Sequence, residues 1–165
     1  MARFEEVKTM FWGGGSYGVQ PPLTDEVIAE AERMLGVVLP SSLLDPLRVQ
    51  NGGEVSYDRD AYPSSHPTSW STDHVPFGDL MGIGHRSGVV SVLDTPYLVE
   101  EWDLPSPIVL ISGNGHHWIA LDYRECGRQG SPAVAWLEAD SGMELQLAAD
   151  FCSFVEGLTA SAFFH

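Results

Sequence analysis

The six histidines are the residues of this chain with the widest chemistry, because imidazole serves both as a metal ligand and as a general acid or base. His116 and His117 are adjacent, so in an extended strand they point to opposite faces and cannot both reach one ion. The other loop histidines, His66, His74 and His85, are irregularly spaced. No Cys-x-x-Cys or His-Glu-x-x-His spacing is present. The sequence therefore predicts neither a metal nor a cofactor.

The possible nucleophiles lack partners. Cys126 is flanked by Glu125 and Arg124, whose charges act in opposite directions on the thiol pKa, and no histidine lies nearby in sequence. The serine-hydrolase pattern Gly-x-Ser-x-Gly is absent. The segment Gly113-Asn-Gly115 lacks a following helix, so it predicts a hairpin turn and not a phosphate site. We predict that the chain is not an enzyme, with a small hydrolase using Asp and His residues as an alternative.

A long loop over residues 56–76 carries aromatic side chains interleaved with carboxylates. Tyr and Trp are enriched at protein interfaces, so this composition favours a recognition surface. The alternative is that Tyr62 and Trp70 fold back on the sheet. The partner-binding candidates in this loop are Asp58, Asp60, Tyr62 and Trp70.

A second group of carboxylates surrounds one indole. Glu100, Glu101 and Asp103 flank Trp102 in a stretch that has no Lys or Arg from residue 87 to residue 123. We add these three acids to the predicted site for a basic partner. The alternative is a solvated turn whose Trp102 is buried.

The net charge excludes some classes of partner. Eight Lys and Arg against 23 Asp and Glu give a formal charge of −15, which repels nucleic acid and anionic membranes. It suits either the steering of a basic protein or simple solubility. No window has the 18 apolar residues of a membrane span, no secretory signal opens the chain, and two separated cysteines suggest reduced thiols. We expect a cytoplasmic protein that binds neither membrane nor nucleic acid.

The elements that would position these residues begin with an amphipathic helix that Thr24 can cap. Leu39-Pro40 predicts an extended entry to a second helix, which Ser41 or Ser42 could cap. Asn51-Gly52-Gly53 supplies residues that tolerate the positive φ of a helix C-terminus. Asp150 can cap a last helix, whose apolar face is Phe151, Phe154, Val155 and Leu158.

Short apolar runs predict the strands. The runs are 77–83, 108–112, 118–123, 133–138 and 144–148, and the segment 91–97 is ambiguous.

These motifs together resemble the SUKH superfamily. The resemblance is carried by Leu-Gly-x-x-Leu-Pro before Asn-Gly-Gly, by Trp102-Asp-Leu-Pro105 before the segment Ile108-Val-Leu-Ile-Ser-Gly-Asn-Gly115, and by the closing Phe-x-x-Phe helix. It covers about residues 24–160, which leaves 1–23 as an N-terminal extension of one domain. Pro46 departs from the family's uninterrupted second helix. The residues assigned a structural role are Leu39, Pro40, Asn51, Gly52, Gly53, Trp102, Pro105, Gly113, Phe151 and Phe154.

Pattern and resemblance together imply an α+β single domain, with a twisted, mostly antiparallel sheet of about five or six strands and helices packed on it. The superfamily includes bacterial immunity proteins and fungal regulators of cell-wall glucan synthesis. The resemblance therefore implies a non-enzymatic immunity protein that binds a basic toxin domain, often a nuclease, and occludes its active site with an acidic surface. The alternative is a regulatory interaction module without a toxin partner.

Overall fold

The computed structural model describes residues 3–164. Within that range, the α-helices are α1 Phe4–Thr9, α2 Asp25–Leu35, α3 Ser41–Val49, α4 Thr95–Glu101 and α5 Phe151–Gly157. The strands are β1 Gly53–Glu54, β2 Ala61–Pro63, β3 His74–Pro76, β4 Asp79–Leu80, β5 Ile108–Gly113, β6 His117–Asp122, β7 Ala133–Glu138 and β8 Glu144–Ala148. Short 3-10 helices cover Tyr57–Arg59, Val92–Asp94 and Ser161–Phe163.

The main sheet is an antiparallel meander in the order β5-β6-β7-β8. Its register places Ile119 opposite Trp136 at the centre. The first three strands are buried along nearly their whole length, which means that protein covers both sheet faces. The α+β class is as predicted, and the hairpin between β5 and β6 turns at Gly113 and Gly115, both with positive φ.

Within residues 3–164 the strands are divided between a main sheet of four strands and two separate pairs, β1-β4 and β2-β3, whereas about five or six strands in one sheet were expected. The segment 77–83 reaches β5 through a hydrogen bond from Met81 N to Ile111 O, 2.8 Å long. Ile111 lies at an irregularity in the β5-β6 register, where regular pairing is interrupted. The ambiguous segment 91–97 is helical, because Ser91 and Asp94 form a capping box.

The helix caps follow the sequence in part. The Thr24 side chain accepts a hydrogen bond from Val27 N, and Gly36 ends α2 in the left-handed conformation. The predicted serine cap of α3 is wrong: extended Pro40 occupies the cap position without a side-chain bond, and its carbonyl accepts from the first turn. Helix α3 continues through Pro46 to Val49, so this departure from the family pattern leaves the helix unbroken.

The core joins the sheet to the helices. Asp150 caps α5 by accepting from Ser153 N at 2.7 Å, as predicted, and Phe151 and Phe154 are fully buried. From the predicted extension 1–23, Phe4 and Val7 enter the same core, while residues 1 and 2 lie outside the described range. No helix within residues 3–164 has the length and hydropathy to cross a bilayer.

Asn51 has a different role from the one its sequence context predicts. Helix α3 ends at Val49, its C-cap Gln50 is extended, and Asn51 follows with 2% of its surface exposed. The amide of Asn51 donates to Pro21 O and Ile83 O, both at 2.8 Å, and its oxygen accepts from Ile83 N at 2.9 Å. Next to it, a Cβ on Gly52 would lie 2.5 Å from Gly82 N. The block therefore ties α3 to the β1-β4 pair.

Candidate functional site

A groove of about 540 Å³ lies where the β1-β4 pair meets the end of the main sheet. The loop between β2 and β3 forms one side, and the turn between β5 and β6 closes one end. Ile119 and Trp136, paired across β6 and β7, form an apolar part of its lining. The three rigid supports are thus a sheet edge, a hairpin turn and a long loop.

An aromatic stack forms the wall under the long loop. His117 lies nearly parallel to Trp136, with ring centroids 4.5 Å apart. Trp70 contacts the His117 ring edge-on, with ring centroids 5.6 Å apart. Trp70 keeps 52% of its surface exposed, and Tyr57 and Tyr17, which also line the groove, are 85% and 75% exposed. Exposed tyrosine and tryptophan rings are the side chains that protein interfaces favour.

Glu138 holds this wall in place from within the protein. One carboxylate oxygen accepts from Trp136 Nε1 at 2.9 Å and from Ser69 N at 2.8 Å, and the other accepts from Ser141 Oγ at 3.0 Å. Burial alone would raise the pKa of Glu138, but these bonds outweigh it and lower the pKa. Because Ser69 precedes Trp70, the same carboxylate fixes both the stack and the loop that carries its outer ring.

The floor of the groove brings two carboxylates together. Glu54 on β1 stands directly opposite Asp79 on β4. Like charges opposite each other on antiparallel strands are destabilising. Asp79 accepts from Ser112 Oγ at 2.9 Å. Although Asp79 is accessible to solvent, surrounding protein atoms partly desolvate its carboxylate and raise its pKa, and Glu54 adds to that rise.

Little positive charge compensates these acids. None of the described residues lining the groove is Lys or Arg, and within residues 3–164 Glu54 has no ion-pair partner. Asp60, at the rim, is held by Ser161, whose N and Oγ donate to it at 2.7 and 3.0 Å. The neighbouring Arg59 donates instead to Leu158 O. The groove is therefore an acidic surface with aromatic walls.

The groove contains an acid and a histidine, which are side chains that general acid–base catalysis would need. Burial lowers the pKa of His117, which favours neutral imidazole near pH 7. However, His117 makes no hydrogen bond to Asp79 or Ser112 in the described structure; its ring contacts are the two tryptophans and an Asn114 amide. No group of three or more potential metal ligands occurs within residues 3–164. The Ser112 hydroxyl contacts the Asp79 carboxylate, but His117 bonds to neither, so the described groove residues do not form a Ser-His-Asp arrangement.

Comparison with protein families gives a match of residues 22–157 to the SMI1/KNR4 family (SUKH-1). The chain belongs to this family. The SUKH resemblance inferred from the sequence is confirmed. A comparison with curated proteins gives no significant match. SUKH-1 membership supports a role in protein interaction or immunity, and the family is generally non-catalytic.

In this SUKH-1 chain, the seven predicted partner-binding residues fall into separate places. Asp60 and Trp70 line the groove. Asp58 is exposed on the 3-10 helix beside it. Tyr62 turns inward and stacks on Phe154, with ring centroids 4.7 Å apart. The remaining three acids, Glu100, Glu101 and Asp103, are exposed at the end of α4, outside the groove lining.

The end of α4 lies next to the groove's closing turn. Partly buried Trp102 packs on the core, and its ring would meet a Cβ on Gly115 at 3.1 Å. Gly113 and Asn114 of the same turn line the groove from the other side. Asp103 adopts a positive φ of 52° directly after the helix. The acids around Trp102 thus flank the groove across one hairpin turn.

The residues assigned structural roles occupy the interior or the turns. Leu39 is buried, Pro105 is half-buried, and Pro40 begins α3. A Cβ on Gly113 would lie closer to His117 O and the Trp118 ring than atoms can approach. Only glycine fits at this turn.

The sequence did not point to four residues that line the groove, Tyr17, Glu54, Asp79 and His117, or to Glu138 behind its wall. Glu54 and Asp79 lie in two-residue strands, so no alternation marks their pairing. A lone carboxylate in an apolar strand, Glu138 at the end of β7, was the available signal. Tyr17, between glycine-rich segments, was a second.

Proposed function

We propose that this SUKH-1 protein is a non-enzymatic immunity protein that binds a basic toxin domain through the aromatic and acidic groove. Toxin neutralisation would follow from occlusion, since a protein bound over a catalytic surface excludes its substrate. A nuclease fits this scheme well, because its substrate-binding surface is positively charged to attract phosphates. We infer a cytoplasmic site of action, where such a toxin meets its substrate.

The observation that carries the proposal is the composition of the groove. Its exposed large hydrophobic side chains, Tyr17, Tyr57 and Trp70, are all aromatic, and its charged side chains are acidic. Interfaces are enriched in Tyr and Trp, and a few such anchors carry most of the binding free energy. The wall behind Trp70 is already fixed by His117, Trp136 and Glu138, so little conformational entropy is lost when a partner binds.

The acids outside the groove serve association. We propose that Glu100, Glu101 and Asp103, with Asp58, attract the basic partner before contact, while Asp60 and Trp70 meet it directly. Tyr62 supports the site from behind through its stack on Phe154. Rim charges act mainly on the association rate, and their effect falls as salt shortens the Debye length to about 8 Å at physiological ionic strength.

The test is capture of the partner by the immobilised protein, followed by identification and an activity assay. The proposal expects a basic protein whose toxic activity the SUKH-1 protein stops. Trp70→Ala should weaken binding by at least about 30-fold, the loss of one hot-spot residue. Tyr97→Ala, which removes an exposed ring from α4, is the matched control and should bind like the parent. A partner with no toxic activity would overturn the immunity role and favour the regulatory module.

The steering residues have their own test. Replacing Glu100, Glu101 and Asp103 with Ser should lower the association rate at low salt and flatten its salt dependence, with little change in the dissociation rate. If the rate and its salt slope equal those of the parent while the fold is intact, these acids are ordinary solubilising surface.

A further inference from the structure

The two carboxylates on the groove floor are arranged in a way that folding alone does not favour. Glu54 and Asp79 face each other across β1 and β4, where like charges repel. Ser112 orients Asp79 by a 2.9 Å hydrogen bond. Glu54 rests against the backbone of the N-terminal glycine run: a Cβ on Gly15 would lie 2.7 Å from Glu54 Oε2. The fold therefore brings two carboxylates of like charge beside each other.

The aromatic rings around the two carboxylates favour one kind of bound group. Trp70, Tyr57 and Tyr17 line the same groove, and each has at least half of its surface exposed. Aromatic faces attract cations, and paired carboxylates do so more strongly. An uncharged apolar side chain would leave both carboxylates desolvated without a partner, which costs free energy. The negative charge of the floor and the aromatic rings of the walls both favour a bound cation.

We propose that this groove binds one arginine side chain of the basic partner, with the guanidinium on Glu54 and Asp79 and its plane against Trp70. This inference rests on the proposed protein-binding function and names the anchor at that site. Guanidinium is planar, weakly hydrated and always charged, so it can stack on an indole while donating to two carboxylates. Lysine presents a strongly hydrated point charge that cannot do both.

A probe that needs no knowledge of the partner tests the anchor. The end-blocked tripeptides Gly-Arg-Gly, Gly-Lys-Gly and Gly-citrulline-Gly are titrated into isotope-labelled protein, and the indole N–H of Trp70 is followed by NMR. The arginine peptide should shift this signal saturably with a dissociation constant near the millimolar range, as about 4 kcal/mol of binding free energy implies. Lysine should bind at least several-fold more weakly, and uncharged citrulline should give no saturable shift.

Two double variants with equal change in net charge separate the site from general electrostatics. Glu54→Gln with Asp79→Asn should weaken the arginine peptide at least 10-fold, whereas Glu26→Gln with Glu125→Gln, at exposed positions outside the groove lining, should leave its affinity unchanged. The first pair should also raise the melting temperature, because it removes the repulsion between the facing acids. Loss of binding by a more stable protein cannot be explained by misfolding.

The inference is overturned if the arginine peptide gives no saturable shift, if citrulline or lysine binds as well as arginine, or if both double variants behave alike. Its failure is distinguishable from failure of the proposed function. A captured toxin that binds the Glu54→Gln, Asp79→Asn variant as tightly as the parent would reject the arginine anchor and leave the immunity role standing. Absence of any toxin partner, with arginine peptides still bound, would reject the role and keep the site.

Discussion

Replacement of Asn51 by alanine should lower the free energy of unfolding strongly, although the sequence around Asn51 is typical of a surface loop. The side chain is almost fully buried and makes three hydrogen bonds, all to backbone groups. Ile83 supplies two of these groups, its N–H and its carbonyl, and Pro21 supplies the third. Alanine leaves all three without their partner and adds no new one.

The magnitude follows from the burial of these backbone groups. Both bonds to Ile83 are fully buried, whereas Pro21 is exposed and water can replace its lost partner. Each unsatisfied buried group costs about 1–3 kcal/mol, so the two groups of Ile83 together cost about 2–6 kcal/mol. Domains of this size are stable by about 5–15 kcal/mol, so the variant should retain its fold only narrowly.

Denaturant unfolding monitored by tryptophan fluorescence measures this change, since Trp136 is fully buried. The matched control is Gln50→Ala, which removes one half-buried bond to Gly52 O and should cost about 1 kcal/mol. If the free energy of unfolding of Asn51→Ala equals that of the parent within about 0.5 kcal/mol, the network around Asn51 does not join α3 to the β1-β4 pair as described.

Four further predictions concern stability. Leu39→Ala should lower the free energy of unfolding by about 2–5 kcal/mol, because the side chain is buried, as chemical denaturation will show. Gly52→Val should melt well below the parent in calorimetry, because Gly52 has φ +96° and a Cβ would clash with Gly82; equal melting would disprove the close approach. Folding lowers the pKa of Glu138, so ionised Glu138 stabilises the folded protein above its ordinary pKa of 4.5, and this stabilisation is lost as the pH falls further. In Glu138→Gln, the free energy of unfolding should therefore fall less steeply as the pH is lowered. Dialysis against a chelator should leave the melting temperature unchanged, and a drop that zinc restores would reveal a metal site.

Local signals predicted the regular elements well. Thr24 and Asp150 cap helix starts by side-chain hydrogen bonds to backbone N–H groups three residues later. Such contacts can be predicted from the local sequence. The bounds predicted for β7 and β8, 133–138 and 144–148, are those observed. The division of the strands into separate sheets was not predicted, because strand pairing depends on chain segments that are distant in sequence.

The site was harder to predict because it is assembled from short elements far apart in sequence. Glu54 and Asp79 meet through a two-residue ladder that leaves no periodic signal. The aromatic loop pointed to Trp70, which lines the groove, but burial decided the direction of Tyr62, which stacks on Phe154. Asn51 likewise sits in a helix-ending sequence, yet its amide binds residues about 30 positions away.

The most direct measurement of the central claim, that the groove is the binding surface, is amide hydrogen exchange of the protein with and without its captured partner. The account predicts new protection in residues 53–57, 68–71, 78–80 and 112–117, which surround the groove. The helical face formed by α2 and α3, residues 25–49, should exchange as in the free protein. Protection confined to 25–49, with none around the groove, would contradict the account.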